Sequence, residues 1–180
     1  MRQPINITVV TPPAELPVSY SLVKEHLRVD DDDERELILQ YLAAATNYAE
    51  EELQRSLVNR SLKAAFGDEP ADGSIALPRG PVSSITTVGG EPAEGVQLQK
   101  LGGRDVAYFE SDAAPYGAVE IVYVAGYGAA EQVPADIKHG ILMHAAHLYE
   151  HRQSTSERPT HAVQHGLDAI YGKHRIGGLI

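Results

Sequence analysis

An apolar stripe that recurs at steps of three and four residues constrains this chain more than any other feature. Its members are Ile38, Leu42, Ala45, Ala49 and Leu53, with Tyr41 and Tyr48 beside them. This spacing matches the 3.6-residue turn of an α-helix with one buried face. The stripe therefore predicts a long amphipathic helix over roughly residues 33–57.

A run of acidic residues precedes this helix. It consists of Asp30, Asp31, Asp32, Asp33, Glu34 and Glu36. We expect Asp30 or Asp31 to cap the helix and the other acids to lie in its first turn, where the helix dipole favours negative charge. A calcium loop needs acids that alternate with spacers and a glycine inside the loop, whereas these acids are contiguous and no glycine follows. The run therefore indicates a helix start and not a metal site.

The N-terminal part predicts an extended arm and then a short helix. Residues 1–17 contain four prolines, which disfavour helix, and "INITVV" suits one short strand. The hydroxyl of Ser19 can cap the following helix, and Val18 and Val23 can form a hydrophobic staple. We expect this helix to end near Val29.

Residues 59–128 follow a different pattern. Short β-prone runs, the last of them "AVEIVYVAGY", are separated by glycine and proline. The pairs Gly89, Gly90 and Gly102, Gly103 suit the positive φ angles of tight hairpins. This region predicts a small antiparallel sheet or hairpin region.

Helices return after this region. Pro134 suits a first helical turn, and Ile137, Ile141, Ala145 and Leu148 form an apolar stripe. A polar loop and a short final helix follow, and Gly172 should stop that helix. We therefore predict a single α+β domain, with the arm at 1–17, a helical part at 18–58, the β-rich part at 59–128, C-terminal helices at 133–171 and a flexible tail at 172–180.

Composition excludes several classes of protein. The chain has 180 residues, a formal net charge of −10 and no cysteine. Disulfides and thiolate metal sites are therefore excluded, and a protein that grips nucleic acid through its phosphates is disfavoured. We find no signal peptide and no stretch of membrane-spanning length, so we expect a soluble protein made in a cytoplasm.

The segment "HLYEH" offers the strongest enzymatic alternative. His147 and His151 with Glu150 match the H-x-x-E-H pattern of a zinc hydrolase, and His144 lies on nearly the same side. The pattern fixes few positions and lacks an evident third ligand. We find no nucleophile elbow and no phosphate-binding loop, so the sequence favours a structural role without a cofactor or a metal.

The C-terminal tail suggests an interaction. Basic Lys173, His174 and Arg175 precede apolar residues, and glycines keep the segment flexible. Apolar side chains at a free end suit a peptide arm that orders on a partner, although a frayed end is an equal alternative. The candidate docking residues are Tyr171, Lys173, Arg175, Ile176, Leu179 and Ile180.

The order of these elements resembles that of the head–tail connector, or adaptor, proteins of tailed double-stranded DNA phages. The segments that carry the resemblance are "HLRVD", "YLAAATNYAEEEL", "LPRGPVSSITTV", "IVYVAGYG" and "VPADIKHGILMHAAHLYEHR", over about residues 18–171. The tail "IYGKHRIGGLI" departs from the arginine-rich ending expected of the family.

The resemblance implies a structural virion protein with no catalysis. Such proteins form a ring, usually of twelve subunits, below the portal, extend the DNA channel and dock the next neck or tail protein, a stopper or tail terminator. It implies assembly in the host cytoplasm, no membrane, and DNA that passes without specific binding. The acids at residues 30–36 would then form an acidic channel or interface face, and the tail would reach the portal. A zinc hydrolase and an unrelated small oligomeric binding module remain the alternatives.

Overall fold

The computed structural model describes residues 4–67, 73–110, 117–152 and 161–175, with residues 161–165 described by their backbone only. The chain divides into two compact units. The sheet unit contains the described residues up to Ala14 and those of Gln54–Gly128. The helical unit contains Glu15–Leu53 and the described residues of Ala129–Arg175. The predicted α+β class is confirmed.

The sheet unit is built from antiparallel strands. In chain order they are β1 (Pro4–Thr11), β2 (Arg60–Phe66), β3 (Ser74–Leu77), β4 (Val82–Val88), β5 (Glu91–Pro92), β6 (Val96–Leu101), β7 (Arg104–Phe109) and β8 (Val119–Ala125). One sheet has five strands in the order β1-β2-β8-β4-β5, and the other has three in the order β3-β7-β6. The β region is therefore larger than the small sheet that we predicted, because the N-terminal arm joins it and a second sheet forms.

Alternation along the central strands explains the core of this unit. On β8, Val119, Ile121 and Tyr123 are buried, whereas Glu120 between them is exposed. The same core contains side chains of both sheets: Leu62, Ala64, Phe66, Ile75, Leu77, Val82, Ala107, Phe109 and Ala125. Burial of this apolar surface stabilises the unit by roughly 25 cal/mol per Å² removed from water.

Both predicted glycine pairs form tight turns. Gly89 and Gly90 have φ angles of 62° and 91° between β4 and β5, and Gly102 and Gly103 have 58° and 80° between β6 and β7. Two successive positive φ angles are those of hairpin turns whose twist matches the adjoining strands, which confirms the prediction.

The helical unit contains four α-helices, among the residues described, and a short 3₁₀ turn at Ala130–Gln132. The helices are α1 (Tyr20–Leu27), α2 (Arg35–Leu53), α3 (Ala135–Glu150) and α4 (His161–Tyr171). As predicted, the Ser19 hydroxyl caps α1 by accepting the Leu22 N–H (3.3 Å). Helix α2 packs on α3, and α3 packs on α4. The predicted stripe of α2 is buried in full.

Helix α2 is shorter than the predicted range of 33–57. At its start, the Asp33 N–H donates to the Asp31 carboxylate (3.3 Å), which holds a turn ahead of the helix. At its end, Gln54 has a φ of 53°, which is outside the helical region. Of the acids, only Glu36 therefore lies in the first turn of α2, and our placement of the aspartates there was wrong. Over the described ranges, no helix combines the length and the apolar character that crossing a membrane requires.

Candidate functional site

The acidic run splits into residues that hold the helical unit together and residues that face solvent. Asp32 Oδ1 accepts hydrogen bonds from Lys24 Nζ (2.8 Å) and from the Tyr20 hydroxyl (2.9 Å). The contact with Lys24, and then that with Tyr20, lowers the pKa of Asp32. This carboxylate thus ties the segment ahead of α2 to α1.

Glu34 ties the start of α2 to the end of α3. Its carboxylate contacts the Arg152 guanidinium through both oxygens, at 2.6 and 2.7 Å, and accepts a hydrogen bond from the Tyr149 hydroxyl. These two donors, Arg152 first, lower the pKa of Glu34 from its ordinary 4.5 to about 2. Arg152 also stacks over the Tyr149 ring at 4.5 Å. Planar two-pronged contact of this kind is the stronger form of an arginine–carboxylate pair.

The other acids of the run are exposed. They are Asp30, Asp31, Asp33 and Glu36. They give the start of α2 a negative surface, as the sequence suggested. The contacts of Asp32 and Glu34 were not predictable, because no motif links either residue to its partners. Glu34 and Arg152, for example, are 118 residues apart.

The first of the candidate docking residues is part of the core. Tyr171 is the last residue of α4 and is 3% exposed. Its ring contacts α3 at Gly140, where an added Cβ would lie 2.8 Å from a ring carbon. Burial raises the pKa of Tyr171. Its side chain fills a space between helices, and its role among the candidate docking residues stays a prediction.

The base of the tail is attached to the helical unit. His174 Nε2 lies 2.6 Å from Asp136 Oδ2, and this contact lowers the pKa of Asp136. Arg175 lies 3.9 Å from Glu52, on the edge of a cavity of about 330 Å³. Lys173 is exposed. The apolar candidates Ile176, Leu179 and Ile180 lie outside the described residues.

The histidines at the end of α3 are not part of a metal centre among the residues that the structure describes. His147 and His151 stack with ring centroids 4.3 Å apart, and His144 packs edge-on to Tyr48. Burial, followed by the neighbouring His151, lowers the pKa of His147. In the described part of the chain, no three His, Asp or Glu side chains come together in a way that could hold a metal ion. The zinc-hydrolase alternative therefore receives no support.

Comparison with known proteins supports the resemblance seen in the sequence. The model of the phage gp6-like head–tail connector protein family matches residues 20–94. No curated protein matches the chain.

Solved structures extend the similarity to the whole chain. A chain in the neck of the empty GTA particle, computed with C6 symmetry, matches with a TM-score of 0.83 and 22% identity over 98% of both chains. A chain in the virion of the native gene transfer agent particle matches with a TM-score of 0.82 and 23% identity, over 98% of both chains. A chain in the native GTA neck, computed with C12 symmetry, matches with a TM-score of 0.74 and 23% identity, over 100% of this chain and 97% of the other. The resemblance is therefore confirmed: this chain is similar in sequence to the phage gp6-like head–tail connector proteins over residues 20–94, and it has the fold of these particle proteins.

Proposed function

We propose that this chain is a structural, non-catalytic head–tail connector of a virion. Twelve copies would form a ring below the portal, extend the DNA channel and dock the next neck or tail protein. The observation that carries the proposal is the agreement of fold over 98% of the chain with a protein of a particle neck, together with the connector match over residues 20–94. The C12 symmetry of a second similar neck supports a ring of twelve.

The surface charge supports passage of DNA without binding. The net charge is −10, and Asp30, Asp31, Asp33 and Glu36 are exposed near the start of α2. A negative wall repels phosphates, so that DNA can slide through a channel. We therefore propose that these four residues line the channel or its rim. A cryo-EM map of the ring in which basic side chains face the lumen would contradict this part of the proposal.

The tail supports docking on the portal. Residues 171–175 are attached to the helical unit through Tyr171, His174 and the contact of Arg175 with Glu52, whereas exposed Lys173 presents positive charge ahead, in sequence, of the apolar residues that follow. A partner surface with acidic and apolar character would suit this segment. In this proposal Tyr171 anchors the tail, and the residues from 173 onward make the contact.

A pull-down on the portal of the same phage or particle tests the docking role. Deletion of residues 176–180 should leave the circular dichroism spectrum and the melting temperature unchanged and should weaken binding. The matched control is Leu22→Ala, which alters an exposed apolar residue of α1 far from the tail in sequence. Unchanged portal binding by the deletion variant would refute the docking role.

Assembly of the ring is tested separately. Purified chain, alone and with the portal, should form closed rings that appear as particles of twelve subunits in negative-stain images. Hydrolase activity that depends on zinc and is lost in His147→Ala would instead favour the enzymatic alternative. Exclusive monomers in the presence of the portal would favour a different binding module.

A further inference from the structure

Among the described residues, no strand pairs with the outer edge of β1, and this edge is unusually apolar. Strand β1 pairs with β2 on one side and is the terminal strand of its sheet. Three of its side chains are exposed apolar groups: Ile5 at 74%, Val9 at 54% and Val10 at 53%. Its eight residues, "PINITVVT", include no charge, and their one proline, Pro4, is the first residue of the strand, outside the regularly paired stretch from Asn6 to Val9. Proteins usually protect such an edge with lysine, proline or short length, because its free backbone groups accept another strand.

The sheet edges in the rest of the described chain are better protected, with one exception. Strand β5 has two residues, and one of them is Pro92, which lacks an N–H. Strand β3 has four residues and is largely buried. The exception is β6, six residues long and largely exposed, which pairs with β7 alone and has Leu101 at 52% exposed.

Charge does not oppose contact between these two edges. The β1 edge is uncharged, and Lys100, the one charged residue of β6, is already paired with Asp105 at 3.0 Å. The pairing of β1 with β2 is regular from Asn6 to Val9, with irregularities at both ends of that stretch. The pairing of β6 with β7 is regular throughout. Each strand therefore has at least four consecutive residues in regular pairing, so that its outer edge can pair with another strand.

We infer that the β1 edge of one copy pairs with the β6 edge of a second copy of this chain. This inference rests on the proposed ring, in which neighbouring copies must meet through two different surfaces. The described part of the chain provides two such edges, β1 and β6, and the remaining exposed large apolar residue among those described, Leu22, lies on a helix. Strand addition of this kind obtains affinity from backbone hydrogen bonds and specificity from side chains such as Val9 and Leu101.

The absence of cysteine allows a direct test. Val9→Cys and Leu101→Cys chains, carrying tags of different mass, are mixed and treated with a short bis-maleimide linker, which tolerates small differences in strand register. Leu22→Cys replaces either partner as the control. We expect covalent heterodimers of the Val9→Cys and Leu101→Cys chains and none with the control. A second variant, Val9→Lys, should raise the concentration needed for assembly about tenfold or more, since the edge then carries a charge.

Native masses recorded on the same samples separate this inference from the proposed function. Rings with the expected heterodimer support both. Rings without that heterodimer overturn the pairing of β1 with β6 and leave the connector proposal intact. Heterodimers in open chains that never close support the pairing and contradict the ring. Crosslinks between two Val9→Cys chains, or no crosslink and no assembly, overturn the inference.

Discussion

The sheet unit and the helical unit each bury a tyrosine, and the two tyrosines differ in a telling way. Tyr123 in β8 is 0% exposed, and its hydroxyl donates to the carbonyl oxygen of Pro78 at 2.8 Å. Tyr171 at the end of α4 is 3% exposed, and its hydroxyl has no hydrogen-bond partner among the described residues. The buried tyrosine hydroxyl of the sheet unit is therefore satisfied, whereas that of the helical unit is not.

Polar contacts also surround the core of the helical unit. Among its described residues, Asp32, Glu34 and Asp136 have a lowered pKa, each in contact with a basic side chain. Two of these contacts fasten the start of α2, and the third fastens the base of the tail. The helical unit therefore relies on polar contacts near its surface at two places: the start of α2, proposed to face the DNA channel, and the base of the tail, proposed to dock on the portal. The contrast between the two units leads to the following predictions, ordered by decreasing effect on stability.

The largest effect is expected in the sheet core. Phe66 is 1% exposed, so Phe66→Ala should lower the free energy of unfolding by about 3–5 kcal/mol through lost burial and an unfilled cavity. Urea denaturation at pH 7 measures the change. Leu22→Ala is the control at an exposed apolar position and should change stability by less than about 0.5 kcal/mol. Equal effects at the two positions would show that the described core does not stabilise the unit.

A smaller effect is expected where α3 meets α4. A methyl group at Gly140 would lie 2.8 Å from the Tyr171 ring, so Gly140→Ala should cost about 1–3 kcal/mol of packing strain, reduced in part by alanine's better helix propensity. Gly166→Ala is the control, because its methyl would meet Met143 at an ordinary 3.6 Å and should be neutral or stabilising. A stabilised Gly140→Ala variant in thermal melts would contradict the placement of Tyr171.

The two tyrosines provide a paired test. Tyr123→Phe should cost about 0.5–1.5 kcal/mol, because it removes one hydrogen bond and leaves the Pro78 carbonyl without it. Tyr171→Phe should be neutral or slightly stabilising, because the hydroxyl that it removes is buried and unpaired. Both variants are compared by denaturant unfolding. The reverse order of stabilities would invert the contrast between the units.

The smallest effect is a dependence on pH. Because folding lowers the pKa of Glu34 from 4.5 to about 2, the stabilisation from its contacts is complete above pH 4.5 and is lost as pH falls towards 2. Glu34→Gln should therefore reduce stability at pH 7 and have little further effect near pH 2. Asp33→Asn, at an exposed neighbour, is the control. If Glu34→Gln lowered stability by the same amount at pH 7 and near pH 2, the contact of Glu34 with Arg152 and Tyr149 would be refuted.

Local patterns in the sequence predicted much of the fold. The stripe of α2, the Ser19 cap and the two glycine pairs are local signals, and all appear in the structure. The sequence did not reveal the division into two sheets, since pairings such as that of β1 with β2 join residues 50 or more positions apart. The boundaries of α2 depended on a left-handed residue at Gln54 and a side-chain turn at Asp31, which periodicity does not report.

The candidate site was less predictable than the fold. The acidic run was found from composition, but the roles within it depend on Lys24 and Arg152, which no spacing rule connects to Asp32 and Glu34. Tyr171 was grouped with the tail because it lies beside Gly172, whereas its burial is fixed by the gap that Gly140 leaves in α3. The burial of Tyr171 and the contacts of Glu34 therefore depend on helices that are distant in sequence, and neighbouring residues do not reveal them.

The proposed connector role is tested by native mass spectrometry of the chain mixed with the portal of the same particle. We expect a complex in which twelve copies, each of 19.5 kDa, are bound to the portal ring without metal. Free monomers beside an unoccupied portal, or one zinc ion bound to each chain, would contradict it.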